Sequence, residues 1–525
     1  MAKRLRVYRD FSYGLSEVAN DNMPDNALVL AQNVEAGAWY GIARCNGTEK
    51  AFSAQVSNES ISGKPVVMLQ ELATADGVQI IACVENSANS WSMFIWDEAA
   101  ESWNVVTDNT GSEATTSILP MLSHFVYAGK LYWLDGTSYR CWDGKAISEV
   151  KEEGSSGLWN KIKTARCVAQ RGTRWFFGTT DNEVIFSNVG FVNKFGATDL
   201  VNISSGMADQ IYAVHEYSEG LLIFQARSVF FLSGWDFAGG TDILLRRLNV
   251  SCGTQYPKSV KTVENAVLYV GRDGLYRLSV PSYSETIAAK NVSEQRIQQR
   301  MLDSNAVDYF AEVWNGKYYL GMRTEEGCKE YRFDTSTGAI FGEYTQGAYC
   351  YAAALGGENY LFLGCANGYV LRYDRDSYHY INTNTGGKTA IPVVAQTKGY
   401  DVVGAMVQYA KLKRAFFVVR QYANESSAIT CQLKADYADR AWQWEVDFDE
   451  SLVYAEGYWG EDYWGWKDTV TKEVKINQKA QRLQYNFYAD GLDEPLLIYG
   501  VGVLYKPKKV RGSRDGVMKA DVIYD

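Results

Sequence analysis

Three histidines, His124, His215 and His379, are all that the 525 residues offer for imidazole chemistry. A Ser–His–Asp nucleophile needs one of them beside a serine on a strained turn. No Gly-x-Ser-x-Gly stretch occurs, and each histidine sits in or beside an aromatic, strand-like run, so structural roles are expected. The nine cysteines (Cys45, Cys83, Cys141, Cys167, Cys252, Cys328, Cys350, Cys365 and Cys431) are scattered singly. Without a C-x-x-C pair they argue against a zinc site or a disulfide framework and for buried free thiols. Gly386-Gly387-Lys388-Thr389 imitates the end of a phosphate-binding loop, but the glycine required with four residues intervening is Asn382. The residues that follow, Ala390-Ile391-Pro392-Val393-Val394, read as strand, so no helix N-terminus faces a phosphate. Asp447, Asp449 and Glu450 could pair as glycosidase carboxylates or hold calcium, but no calcium-loop spacing surrounds them and a solvated hairpin end is the plainer reading. No cofactor or metal is expected, and no enzyme.

The elements around these residues are short strands alternating with period two and joined by Gly-centred turns. Val78–Val84, Trp91–Trp96 and Ser102–Val106 form a first meander, and Phe125–Tyr127, Leu131–Leu134, Ser138–Trp142 and Ile147–Val150 a second. Arg166–Gln170, Arg174–Gly178 and Glu183–Ser187 form a third. A fourth covers 211–248, a fifth 260–289 and a sixth 307–344. Cys350–Leu355, Tyr360–Gly364 and Tyr369–Tyr373 give a seventh, or a blade shared with an N-terminal strand. Recurrence at roughly 35–45 residues is the scale of a propeller blade. One hairpin returns in three meanders: Asp135-Gly136, Asp273-Gly274 and Asn367-Gly368 each precede a strand holding an arginine. Asx-Gly supplies the positive φ that a tight hairpin needs.

The expected fold is therefore all-β, a propeller of six or seven blades with an additional C-terminal antiparallel β domain and very little helix. The clearest helix spans Asn291 to Leu302, with Asn291 as cap, Glu294 at the capping-box position, and Ile297 and Met301 sharing a face. Residues 1–55 read as an N-terminal arm with the first strands, 56–382 as the propeller and 383–525 as the C-terminal domain. The last contains the long strands Ala410–Arg420 and Leu496–Tyr505.

Composition narrows the function classes. The net charge is −10, where a protein that grips phosphates is normally basic. The longest apolar run, Leu221 to Leu232, is broken by Gln225 and Arg227, so no membrane helix is expected. Met1 to Asp10 is charged and lacks the apolar core of a secretory signal. Aromatic residues make up 14%, which suits sheet faces and subunit interfaces. The hairpin Tyr458–Trp466, with Trp459, Tyr463, Trp464 and Trp466, reads as an interface anchor or a sugar-stacking surface. Lys508, Lys509 and Arg511 at the basic end read as a contact for an acidic neighbour or as a solvated tail.

The opening segment is the most specific. Asp10-Phe11-Ser12-Tyr13-Gly14-Leu15, Pro24-Asp25-Asn26-Ala27, Ala31-Gln32-Asn33-Val34 and Gly37 through Arg44, Cys45-Asn46-Gly47 follow in order. This resembles the N-terminal signature of the tail nozzle, or tail-stabilisation (tail tubular), proteins of short-tailed bacteriophages (podoviruses). The family usually has one residue between the arginine and the glycine, where two separate Arg44 from Gly47 here. The resemblance continues through Arg166–Asn188, Ile211–Leu232 and Cys252–Tyr276 and covers most of residues 10 to 380. It implies a structural virion protein: a homo-hexameric ring below the portal and adaptor (head-to-tail connector) rings, meeting tail fibres, spikes or a needle plug. Double-stranded DNA would be retained after packaging and pass through the lumen at ejection without sequence-specific binding. It places the protein in the virion tail, made in the bacterial cytoplasm. An acidic wall that repels phosphate agrees with such passage. The alternatives are a carbohydrate- or receptor-binding propeller and a propeller glycosidase.

Overall fold

The computed structural model describes residues 2–37, 40–58, 61–87, 89–106, 117–204, 209–234, 243–279, 287–403, 408–420, 428–436, 441–447 and 469–508. Six small antiparallel sheets stand in a ring. The first blade is Val66–Thr74, Gly77–Ser87, Ser90–Asp97 and Ser102–Val105. Its opening strand escaped the sequence reading because Val-Val-Met-Leu-Gln-Glu-Leu-Ala carries no turn signal and favours helix locally. The second blade runs from Ser123 to Glu149, the third from Cys167 to Asn202, the fourth from Ile211 to Arg247 and the fifth from Lys261 to Asn291. The last comprises Cys350–Leu355, Glu358–Gly364 and Val370–Asp374, closed by Gly47–Lys50 from the N-terminus. The blade shared with an N-terminal strand is thus observed.

Between the fifth and last blades stand Asp308–Trp314, Lys317–Thr324, Gly327–Asp334 and Ile340–Tyr344, the first four strands of an eleven-stranded sheet. Seven stations therefore surround the axis. Buried clusters fill the spaces between neighbours. Trp175, for example, is fully buried between the second and third blades, against Phe125 and Tyr127. The cluster between the fifth blade and the eleven-stranded sheet continues without a break into the C-terminal strands.

The turns behave as their chemistry requires. Gly136 and Gly368 both have φ of +82°. The Asp135 carboxylate accepts the N–H groups of Thr137 and Ser138 at 2.8 and 2.6 Å, fixing that hairpin. The expected helix is shorter than the sequence suggested. Asn291 ends a strand, and its side chain accepts from the N–H groups of Ser293 and Glu294 at 3.0 and 3.1 Å. Gln295 then takes a φ of +63°, which no helix interior accommodates, so the helix begins only at Gln298 and ends at Asp303. Ile297 and Met301 do face the core.

Beyond the ring, the eleven-stranded sheet runs on through Gly14–Leu15, Ala27–Gln32, Val393–Thr397, Arg482–Ala489, Ala428–Ala435 and Ala441–Asp447. A second sheet joins Arg4–Tyr8, Leu497–Pro507, Ala410–Arg420 and Thr469–Lys475. Residues 4–50 are consequently shared: strands from this segment pair with the ring and with the C-terminal sheets. No helix among the described residues is long and apolar enough to cross a membrane.

Candidate functional site

The first strand of each station lines a central cavity of about 410 Å³. His124 and His215 project from the second and fourth blades, and Lys258 and Lys261 lie before and on the fifth. Glu312 comes from the eleven-stranded sheet and Glu71 from the first blade. His124 opens onto the cavity but is walled in by protein. That burial, reinforced by Lys261 and Lys258, depresses its pKa to about 4. Burial and Lys261 bring His215 to about 4 as well, and its Nε2 lies 2.8 Å from Thr262 Oγ1. Both carboxylates are engaged. Glu312 accepts from Lys261 Nζ at 2.7 Å and from Val313 N–H at 3.0 Å, and Glu71 accepts from Gly356 N–H at 2.6 Å. The space is of small-molecule size.

His379 lies elsewhere, under the strand that closes the ring. It is 1% exposed, with Nδ1 3.0 Å from both Ser377 Oγ and Asp493 Oδ1, and Nε2 3.2 Å from Glu49 Oε1. A nucleophilic triad uses the two ring nitrogens for different partners, serine on one and carboxylate on the other. Here Ser377 Oγ lies nearer the nitrogen that faces Asp493, at 3.0 Å, than Nε2, at 3.5 Å, and Glu49 is the nearer partner of Nε2, so the cluster ties the closing strand to the 490–494 loop. Gly386–Thr389 forms the turn and return strand of a hairpin, Lys388–Ala390 pairing with His379–Ile381, and no helix follows.

The residues of the N-terminal signature gather at the junction between ring and C-terminal sheets. Gly14, at φ +74°, lies so close to Ile340 that a Cβ would stand 2.4 Å from its carbonyl oxygen. Asn33 is fully buried and donates to Pro392 O at 2.7 Å and Thr345 Oγ1 at 2.9 Å. Its side-chain oxygen accepts from Thr345 N–H at 2.9 Å and Tyr380 Oη at 3.1 Å. Arg44, 2% exposed, donates to the carbonyls of Gly491 and Glu494. Tyr13 lies beneath the Arg296 guanidinium at 4.1 Å.

Sequence reasoning missed the strongest electrostatic feature of this junction. Glu330 and Arg332, 0% and 3% exposed, are paired at 2.8 Å. The guanidinium is enclosed by the rings of Tyr344, Tyr373 and Tyr319 at 3.8, 4.6 and 5.0 Å. Tyr351 and Tyr373 donate to Glu330. The sequence offered little hint of it: Glu330 and Arg332 are two charges at period two inside Gly327–Asp334, on the face opposite the apolar Tyr331 and Phe333.

Of the expected surface residues, Lys508 is exposed just past Leu497–Pro507, its N–H donating to Tyr409 O at 2.9 Å. Trp459, Tyr463, Trp464, Trp466, Lys509 and Arg511 lie outside the described residues, as do Asp449 and Glu450. All nine cysteines are free.

No protein-family model matches the chain, and no curated protein does. Among solved structures it is similar to the computationally designed Ika8 protein, with 12% identity and a TM-score of 0.38 over 70% of this chain and 99% of that one. It is also similar to the extracellular domain of a one-component system of B. thetaiotaomicron, with 10% identity and a TM-score of 0.43 over 84% of this chain and 60% of that one. The WD40 domain of Neurospora crassa Pan2 gives 10% identity and a TM-score of 0.33, covering 59% and 90%. None of these likenesses is close enough to carry a functional argument.

Proposed function

We propose that this chain is a structural subunit of a short-tailed bacteriophage tail, a nozzle protein whose copies close into a hexameric ring. The ring holds packaged DNA and later conducts it. The observation that carries this reading is the use made of the signature residues: Gly14, Asn33 and Arg44 tie the ring to the C-terminal sheets over hundreds of residues. A part that must hold its shape under load benefits from such cross-bracing. The engaged state of Glu71 and Glu312 favours a structural axis over a glycosidase centre. Because the propeller's own cavity is of small-molecule size, the DNA duct of this proposal lies between copies, bordered by chains of net charge −10.

Electron microscopy and mass photometry of the purified protein, alone and with the adaptor ring, test the reading. Closed six-fold rings are expected, and phage lacking the protein should package DNA and then leak it. A protein that stays monomeric in every mixture overturns the proposal.

A further inference from the structure

The sheet built from Arg4–Tyr8, Leu497–Pro507 and Ala410–Arg420 carries an unusual row of charge. Lys411 stands directly opposite Lys479 on one side and Lys506 on the other. Arg4 pairs with Tyr505, so Lys3 comes level with Lys506 on the next strand. Residues opposite one another in an antiparallel sheet share a face. The buried neighbours Ala410, Leu412, Ala480 and Tyr505 show that this face points outward. Four lysines thus form a row from Lys3, just before Arg4–Tyr8, through Lys506 and Lys411 to Lys479 on the two-residue strand Lys479–Ala480, at about 4.8 Å per step, and Lys413 adds a fifth two residues along.

Like charges at this spacing repel. Lys411, then slight burial, then Lys3 and Lys506 push the Lys413 pKa below its ordinary value. Among the described residues, no carboxylate lies within ion-pair distance of Lys3, Lys411, Lys413, Lys479 or Lys506, whereas Arg414, also on this sheet, is paired with Glu473. Repulsion left uncompensated among the described residues is relieved by an anionic surface from outside. The apolar side chains around the row say which kind. Leu5, Val7 and Tyr409 are 59%, 39% and 49% exposed, and lie two and four residues from Lys3 and two from Lys411, on the same face by strand alternation. A phosphate backbone has no use for open leucine, valine and tyrosine, while a protein surface buries them. The whole chain carries −10 and five of its positive charges stand here, so the remainder carries −15. Every other copy therefore carries net negative charge outside this row.

We infer that this face docks an acidic surface of a second copy of the chain in a head-to-tail contact, the lysine row steering the approach and Leu5, Val7 and Tyr409 being buried by it. The inference rests on the ring reading above and adds the face that makes the ring. A contact between two different surfaces is the kind that closes into rings.

The test compares wild type with the double variant Lys411→Glu/Lys506→Glu by sedimentation and mass photometry at low and high salt, with circular dichroism to confirm folding. Wild type should assemble most readily at low salt. The variant should need about tenfold more protein to assemble, and Leu5→Ser should weaken assembly at both salt levels. If the variant assembles like wild type, this face is not the contact, although the ring reading survives. If wild type never assembles, both fall. Labelled duplex DNA retained by wild type and released by the variant would make the occupant a phosphate backbone and overturn the inference.

Discussion

The ring and the junction are held together by opposite means. In the ring, apart from the closing strand Gly47–Lys50, each strand pairs with the next one in the chain, and the same hairpin chemistry serves one blade after another: Asp135 holds its turn through hydrogen bonds to residues two and three positions on. At the junction, residues 4–50 reach partners between 295 and 507, and the contacts are singular and polar: Asn33 to Pro392, Arg44 to Gly491 and Glu35 to Arg332, which is itself paired with Glu330. Repetition tolerates a weak member. A unique buried polar contact does not, because the group left behind has neither water nor a substitute partner.

The largest expected effect follows from that asymmetry. Arg332→Leu strips Glu330 of its cation in a site with no water access, and removing one partner of a buried pair typically costs about 3–5 kcal/mol. Arg140→Leu, on a ring hairpin where the arginine is 36% exposed and 3.8 Å from Asp135, should cost only about 0–1 kcal/mol. Urea midpoints of the two variants check the contrast. Equal midpoints would remove the distinction between the regions. Replacing both Glu330 and Arg332 by apolar residues should recover part of the loss, since neither charge is then stranded.

A smaller effect probes the ring. Gly178 ends the second strand of its blade opposite Cys167, and Gly364 stands likewise opposite Cys350. A Cβ on Gly178 would lie 2.5 Å from Cys167 Sγ and 2.8 Å from Ile211 Cγ2. Gly178→Ala should therefore lose about 1–3 kcal/mol by overpacking. Adding Cys167→Ala should restore some of this, but not all, because Ile211 remains. A double-mutant cycle in urea reads the coupling; strict additivity would show that sulfur and glycine are not sharing one space.

The same asymmetry explains what could be read in the sequence. The meanders from Phe125 to Tyr373 were legible because period-two alternation and Asx-Gly turns are local, and Ala410–Arg420 matched the observed strand end to end. Among the strands missed were Val66–Thr74, Leu200–Asn202 and Thr469–Lys475. The first carries helix-favouring residues and the second is short and follows a long connection. The burial of Arg332 and Glu330 was illegible, since local pattern assigns charges to the surface and only pairing 21 to 43 residues away, with Tyr351 and Tyr373, brings Glu330 its partners. The lysine row was invisible for a related reason. Lys3, Lys411, Lys479 and Lys506 lie far apart in the chain, and only register aligns them.

The mildest test concerns the axis, where ring repetition brings two histidines into one cavity. Burial and the neighbouring lysines hold His124 and His215 at a pKa of about 4 in the folded chain, against about 6.5 when unfolded. Above pH 6.5 both states are neutral and the histidines contribute no pH dependence. Between roughly 6.5 and 4 the unfolded chain binds protons that the folded chain refuses, so stability falls as the pH is lowered through this window. Below 4 both states are charged and this contribution levels off. Carboxylates begin to titrate at the acidic end, so the informative quantity is a difference: wild type against His124→Asn/His215→Asn, melted across pH 7 to 4.5. The variant should lose less stability than wild type over that span. Because the water of the cavity reaches His124, the gap should be smaller than full burial of two imidazoles would give. Parallel curves would mean that the imidazoles titrate alike folded and unfolded, and that the cavity lysines do not repel a charge placed beside them.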